Sequence, residues 1–324
     1  MTIKIPTKIE QAIAVIAADN CHGSSWLSRQ ALVVLAEAAE IKGAPGGGEE
    51  LAAYLRAVAL RLRSAQPTMS SLSNHLVRAL SQMPGIRTSK PGIGKLDKLT
   101  VRSAVEDELA SQRRELTALG EYGAKLLAEK FPGKTRLITL SASDAVFEIL
   151  SRLSGGGLVI TVAESRPVRE GADFAVKLAK LGFEVRLVTD AMLGIETVGA
   201  DCVLTGADAV YNDGSVINKA GTRLLALAAK MDKVPFYCCT QTIKISTSQK
   251  SENSSLVPSQ RERDPDEIQQ NVADGIVVNN LYFDKTEYFL VGGFISENGF
   301  LRVKEIGMLS DKAARLEKRV LAEH

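Results

Sequence analysis

One short stretch of the sequence places three chemically capable side chains close together. Asp208 directly follows an apolar segment with the pattern of a buried strand, and Asn218 and Lys219 stand where a helical pattern begins. Asparagine is a good helix N-cap, and the free N–H groups of a first helical turn bind anions, to which Lys219 adds positive charge. A carboxylate repels phosphate, so Asp208 is better suited to accept a proton or to bind a hydroxyl group. The stretch predicts half of a site for a phosphorylated ligand.

Two further polar segments follow predicted strands. The first, 140–144, reads "LSASD" and contains Ser141; the second, 164–171, reads "ESRPVREG" and contains Arg166. The planar guanidinium of arginine suits phosphate. In open α/β sheets, ligands bind beyond the carboxyl ends of the strands. We therefore expect Ser141 and Arg166 to lie at the same edge of the sheet as Asp208.

Simpler structural roles for these residues stay open. Asn218 can do no more than cap its helix, and Arg166 can do no more than form an ion pair with Glu164 or Glu170. Asp208 alone after a strand is weak evidence for a site. The four segments together, all at one edge of a sheet, are better evidence.

The elements that must position these residues follow from the hydrophobic periodicity. Apolar residues recur at helical spacing in 8–18, 26–41, 50–63, 70–82 and the stretch from Thr100 to Pro132. Short apolar, β-branched runs then predict strands buried on both faces at 135–140, 157–162, 183–188, 201–206 and 234–240. Helical segments are predicted between them at 143–153, 168–181 and 219–231, with further strands near 275–279 and 286–292 and a helix at 310–322.

This order predicts an α/β protein of two domains. A helical N-terminal domain, 1–130, precedes a Rossmann-like domain, 131–324, with a doubly wound, mostly parallel sheet that carries most of the ligand site. Residues 241–275 are polar and Ser-rich and predict a long loop, either a partner surface or a solvated excursion.

Composition excludes several classes of function. The 324 residues carry a net charge of +2, with the two signs interspersed, so we expect no direct binding of nucleic acid and none of membranes. There is no secretory signal and no apolar run of about 20 residues, which predicts a cytoplasmic protein. The four cysteines and three histidines are not spaced as metal ligands, and no G-x-G-x-x-G follows a strand, so neither a metal nor an organic cofactor is expected.

Three long motifs resemble the hallmarks of the initiation factor 2B-related superfamily. They are "VAESRPVREG", "GADAVYNDGSVINKAGTRLLALAAKMDKVPFYCCTQTIKIS" and "NLYFDKTEYFLVGGFISENGFL". The resemblance covers 130–305 well and the helical half more loosely. The superfamily includes the alpha, beta and delta regulatory subunits of eukaryotic translation initiation factor 2B and two isomerases, of methylthioribose 1-phosphate and ribose 1,5-bisphosphate. It implies the helical-plus-Rossmann-like fold and a homodimer through the C-terminal domain, which can assemble further.

The resemblance also implies roles for individual residues. Asp208 matches the catalytic Asp of the isomerases, while Ser141 stands where they have a catalytic Cys. Arg166, Asn218 and Lys219 match phosphate-binding positions.

In the helical half the match to the family's motifs is less complete. Gln66 replaces an Arg of the family's "RPT" segment, and Gly23, Ser24 and Arg29 are the loose counterparts of a glycine loop that binds substrate.

The departure at Ser141 leaves two functions open. A thiol, with a pKa of about 8.5, donates a proton near neutral pH far more readily than a serine hydroxyl. The first hypothesis is an aldose–ketose isomerase of a phosphorylated pentose, similar to ribose-1,5-bisphosphate isomerase, with Asp208 and Ser141 as catalytic residues. The alternative is a non-catalytic regulatory subunit, similar to translation initiation factor 2B, that senses a sugar phosphate or nucleotide. A third, simpler role keeps the fold for oligomerisation alone.

Overall fold

The computed structural model describes residues 3–19, 23–86, 95–153, 157–247, 257, 260 and 262–321. It divides into two compact units. The helical unit comprises Met1–Arg114, Ile243–Ser248 and Met308–His324, and the sheet unit comprises Glu115–Thr242 and Gln249–Gly307. The predicted domain boundary at residue 130 stays a prediction.

The helices, in chain order, are α1 Thr7–Ala18, α2 Ser24–Glu40, α3 Gly48–Ala65, α4 Ser70–Gln82, α5 Lys98–Lys130, α6 Asp144–Leu150, α7 Glu170–Lys180, α8 Leu193–Glu196, α9 Thr222–Met231 and α10 Val303–Leu321. The strands are β1 Thr135–Leu140, β2 Leu158–Ala163, β3 Glu184–Val188, β4 Cys202–Thr205, β5 Ala209–Val210, β6 Val216–Lys219, β7 Phe236–Cys239, β8 Phe283–Thr286, β9 Gly293–Ser296 and β10 Gly299–Leu301.

The helical unit is built around the apolar stripes of its helices. Leu27 and Leu35 of α2, Leu55 of α3 and Leu72 of α4 are fully buried in one core, because residues three, four, seven and eight apart share a helix face. Val320 of α10 is buried in the same core, so the C-terminal helix packs with the N-terminal ones.

A seven-stranded sheet organises the other unit. Its order is β10-β9-β7-β4-β1-β2-β3, and every pair is parallel except β9 with β10. Alternate residues of each strand face opposite sides: Leu137 packs in the core with α6 and α7, whereas Ile138 packs in the core with α9. Helices therefore cover both faces, which confirms the predicted fold class.

The strand order contains a topological switch point. The chain runs outward from β1 through β2 to β3, and then returns to place β4 on the other side of β1. The chain after β1 leads to α6 on one face of the sheet and the chain after β4 leads to α9 on the other, and such a switch point is where α/β proteins bind ligands. Ser141 follows β1, and Gly206 follows β4.

The segment before α9 differs from its prediction. β5 and β6 form a hairpin, and β6 also pairs with β8, giving a second, antiparallel sheet of order β5-β6-β8. The helix predicted from residue 219 therefore begins only at Thr222. No strand forms at 275–279, and the strand predicted at 286–292 is wrong, since β8 and β9 lie on either side of a short 3-10 turn.

Part of the predicted 241–275 loop lies outside the described residues, namely 248–256, 258–259 and 261. Its described C-terminal part contains a 3-10 turn at Pro265–Glu267. Among the residues that the structure describes, no helix combines the length and the apolar character needed to cross a membrane.

Candidate functional site

The loops after β1 and β2 are tied together at the carboxyl edge of the large sheet. Ser141 has a left-handed backbone, with φ of 61°, and its N–H donates to Ser165 Oγ at 2.7 Å. The carboxylate of Asp190 accepts from the backbone N–H groups of Ser165 and Arg166 at 2.8 and 2.7 Å. These bonds fix the backbone position from which the Ser141 side chain extends.

Three side chains form a continuous polar chain at this edge. Ser141 Oγ donates to Glu170 Oε1 at 2.8 Å, and Lys219 Nζ lies 3.0 Å from the same oxygen. Lys219 is only 6% exposed, so its charge needs a partner, and Glu170 supplies it. The two predicted site residues are thus joined through Glu170. We call these residues the Ser141–Glu170–Lys219 chain.

An aromatic ring covers the ammonium group of this chain. Lys219 Nζ lies 4.2 Å from the centroid of the Tyr282 ring, and the guanidinium carbon of Arg263 lies 5.1 Å from it. Tyr282 Oη donates to Glu267 Oε2 at 2.6 Å. Burial, and then this bond, raises the pKa of Tyr282, which stays a neutral donor. The interactions fasten the 262–268 segment beside Lys219.

Asn218 is not the N-cap of α9, and that expectation is wrong. Its side chain lies on β6 and donates to Thr222 Oγ1 at 3.0 Å, whereas Gly221 occupies the cap position with φ of 106°. The N–H groups of Gly221 and Arg223 both donate to Asp284 Oδ2, at 2.8 and 3.0 Å. A protein carboxylate therefore already occupies the helix terminus that was expected to bind an anion.

Asp208 lies at the entry of the hairpin. Its N–H donates to Ile217 O at 2.8 Å, which places it across from β6, and its side chain is partly buried. Two residues earlier, any Cβ on Gly206 would collide with the Ser143 side chain, whose Oγ caps α6. Glycine is required here because the loops after β1 and β4 approach closely at the switch point.

Arg166 is exposed at the same edge. Its backbone is fixed by Asp190, and its Nη2 donates to Ile268 O at 3.3 Å. The ion pairs considered for it are not those of the structure, since Glu164 pairs with Arg169 and Glu170 with Lys219.

The candidates in the helical unit are described separately. Gly23 precedes α2, Ser24 is its buried first residue, and Arg29 is a partly buried residue one turn further on. Gln66 donates to the carbonyl oxygens of Ile16 and Asp19, so its amide holds local backbone. A role for these residues in phosphate binding stays a prediction.

Glu170, Tyr282 and Asp284 are the residues that sequence reasoning missed as parts of the site. Glu170 is the first residue of α7 and follows a strand end, which is the signal already used for Arg166. Tyr282 and Asp284 lie in one of the motifs that carry the family resemblance, which implies no role for them. Within the described ranges, no group of three or more His, Cys, Asp or Glu side chains could hold a metal ion.

Comparison with known proteins fixes the family. The sequence model of the Initiation factor 2 subunit family matches residues 20–303. The chain belongs to this family. One relative is similar along most of its length: a Pyrococcus abyssi protein with the provisional name translation initiation factor eIF-2B subunit 2-like is 30% identical, over 92% of this chain and 97% of its own.

The family relationship extends to an enzyme and to a solved structure. Ribose 1,5-bisphosphate isomerase of Haloferax volcanii is 33% identical over 198 residues, which are 61% of this chain and 58% of the enzyme. The crystal structure of Pyrococcus horikoshii translation initiation factor eIF-2B superposes with a TM-score of 0.74 and 26% identity, covering 91% of this chain and 97% of that one. Both named functions thus occur among relatives of this chain.

Proposed function

We propose that this protein binds a phosphorylated pentose at the switch point of the seven-stranded sheet and interconverts its aldose and ketose forms. The observation that carries the proposal is the Ser141–Glu170–Lys219 chain, which joins a proton donor, a carboxylate and a buried cation at that edge. The similarity to the Haloferax isomerase supports the choice of a phosphorylated pentose.

The side chains proposed to bind the phosphate group are Arg166, Asn218 and Lys219. The ammonium group of Lys219 has three N–H donors and gives one to Glu170, which leaves others for an anion. Arg166 is exposed and can turn its guanidinium toward a ligand. Asp208, which lies across the hairpin from β6, is the proposed proton acceptor or hydroxyl ligand.

Glu170 supplies what a serine lacks as an acid. A free serine hydroxyl ionises too weakly to replace a thiol at neutral pH. The Ser141 proton, however, points to the Glu170 carboxylate. Ser141 can accept a proton from the sugar while it passes its own to Glu170. The reverse transfer, from protonated Glu170 through Ser141, then delivers that proton to the ring oxygen of the sugar, and Ser141 never becomes a free alkoxide.

A second function is favoured by the loss of the thiol itself. A family member that lacks the Cys can bind the same ligand, or a nucleotide, without turnover and act as a regulatory subunit. The 97% coverage of the Pyrococcus abyssi relative, against 58% for the isomerase, supports this alternative. Its partners would be other subunits of a translation factor.

Phosphorus NMR with ribose 1,5-bisphosphate tests the proposal. We expect the parent protein to convert the ligand to the ketose, and Asp208→Asn to slow conversion by about 10²–10⁴, the usual loss for a positioned acid or base. Asp173→Asn is the matched control, because it removes an exposed carboxylate from α7. Broadened ligand resonances without product would refute catalysis and favour the regulatory alternative, and unchanged resonances would refute both.

A further inference from the structure

The two carboxylate oxygens of Glu170 have unequal surroundings. Oε1 accepts from Ser141 and is paired with Lys219. Oε2 is buried, and no donor lies within hydrogen-bonding distance of it in the part of the chain that the structure describes. The side chain as a whole is 25% exposed, so a ligand can still approach it.

A buried carboxylate oxygen without a donor is unfavourable. Withdrawing a polar atom from water without a new hydrogen bond is costly, and nearly all such atoms in folded proteins are paired. Glu170 stands at the carboxyl edge of the sheet, where ligands of α/β proteins bind. The missing donor is therefore best sought in the ligand.

The chemistry of the surroundings selects the kind of donor. A phosphate group offers only acceptors and negative charge at neutral pH, so a carboxylate oxygen repels it. A cationic group would meet the ammonium of Lys219, which already lies 3.0 Å from the other oxygen. A neutral hydroxyl group satisfies both constraints.

We propose that Glu170 Oε2 accepts a hydrogen bond from a hydroxyl group of the bound sugar, and that Glu170 thereby selects a hydroxylated ligand over one that carries phosphate alone. This inference rests on the proposed function, and it gives the two members of one ion pair different roles. Lys219 attracts the phosphate group, while Glu170 accepts a hydrogen bond from the sugar next to it.

Calorimetric titration with two ligands tests the assignment. Ribose 1,5-bisphosphate has the hydroxyl groups, and 1,5-pentanediol bisphosphate keeps both phosphates but lacks them. We expect the parent to bind the ribose ligand at least about tenfold more tightly, as for a hydrogen bond to a charged group. In Glu170→Gln, which keeps the shape but loses the charge, this preference should fall by about tenfold.

Glu164→Gln is the matched control, since Glu164 lies in the same loop but pairs with Arg169 at 3.2 Å and is not part of the Ser141–Glu170–Lys219 chain. It should keep the preference of the parent. Glu170→Gln should also bind 1,5-pentanediol bisphosphate at least as tightly as the parent does, because Lys219 loses its counterion.

The outcomes separate the two proposals. If the parent binds neither ligand, the proposed function fails, and the inference fails with it. The inference alone is overturned if the parent binds both ligands without a preference, or if Glu170→Gln keeps the full preference. Glu170 Oε2 would then be hydrogen-bonded by water and not by the ligand. Should Glu170→Gln not fold, Glu170→Asp answers the same question, because it keeps the charge but retracts the carboxylate from the ligand.

Discussion

Asp284 is a buried carboxylate whose partners offset its burial only in part. Oδ2 accepts two backbone N–H groups at the start of α9, but Oδ1 is buried with no donor among the described residues. Burial is the largest influence on this group and raises its pKa from 3.8 to about 6, against the lowering effect of the two backbone donors. The folded protein therefore holds this proton more tightly than the unfolded chain does.

A pH-dependent stability follows from that difference. The contribution of Asp284 is fully present below pH 4 and is lost as pH rises through 6, because the unfolded chain ionises first. We expect the free energy of unfolding of the parent to fall by up to about 3 kcal/mol relative to Asp284→Asn between pH 4 and 7. Urea denaturation of both proteins across this range measures the difference.

The control for this measurement is Glu184→Gln, which removes an exposed carboxylate from β3. A difference between parent and Asp284→Asn that does not change with pH would show that Asp284 does not titrate in this range.

At the residue level, the sequence predicts which side chains reach the site but not how they pair. Ser141, Arg166 and Asp208 were predictable because each follows a predicted strand, and Lys219 because it stands at a predicted helix start. Their hydrogen bonds were not, because Ser141 meets Glu170 only once β1 and β2 are neighbours in the sheet. Glu170 is a carboxylate at the start of a helix, which is a common stabilising feature, so its residue type alone does not indicate a ligand site.

At the level of elements, the large sheet was predictable and the small one was not. Strands such as β1 and β2 are nearly continuous apolar runs, the pattern of strands buried on both faces. β6 has only four residues, and its pairing with β8 joins segments that are far apart in sequence. Local periodicity carries no information about such a pairing, and it predicts a helix start at Asn218 and Lys219 instead.

Gly171 shows how tightly the site loop is built. It is the second residue of α7, and a Cβ there would collide with the carbonyl oxygen of Ala163, the last residue of β2. Alanine normally favours a helix over glycine by up to about 1 kcal/mol. At Gly171 the collision between the added Cβ and the Ala163 carbonyl oxygen outweighs that gain, because neither atom can move aside by a side-chain rotation.

We expect Gly171→Ala to destabilise the protein by about 1–3 kcal/mol, as overpacking does, and to weaken ligand binding by displacing Glu170. Gly194→Ala is the matched control, because Gly194 is also the second residue of its helix and has open space around the missing Cβ. Urea midpoints measure both variants. Equal midpoints for the two would show that the loop yields without cost.

At the scale of the whole molecule, α9 is apolar on two opposite faces. Leu225, Ala226 and Ala229 are buried against the large sheet. On the other side Leu224 and Met231 are 70% and 84% exposed, and Leu227 also faces outward. A surface helix normally has a single apolar face, so a second one indicates that something covers it. The neighbouring α8 adds Ile195, which is likewise exposed.

A second copy of the chain is the cover we predict for this surface, in line with the homodimer that the family resemblance implies. Apolar side chains gathered on one surface mark association sites, whereas single exposed ones are ordinary. We expect light scattering to give the parent twice the mass of one chain, and Leu224→Lys with Leu227→Lys to give a folded monomer, because two buried ammonium groups would cost more than the interface gains. Leu99→Lys, at a position that is 77% exposed on α5, should leave the mass unchanged. A monomeric parent would refute the dimer, and a double variant that remains dimeric would place the interface elsewhere.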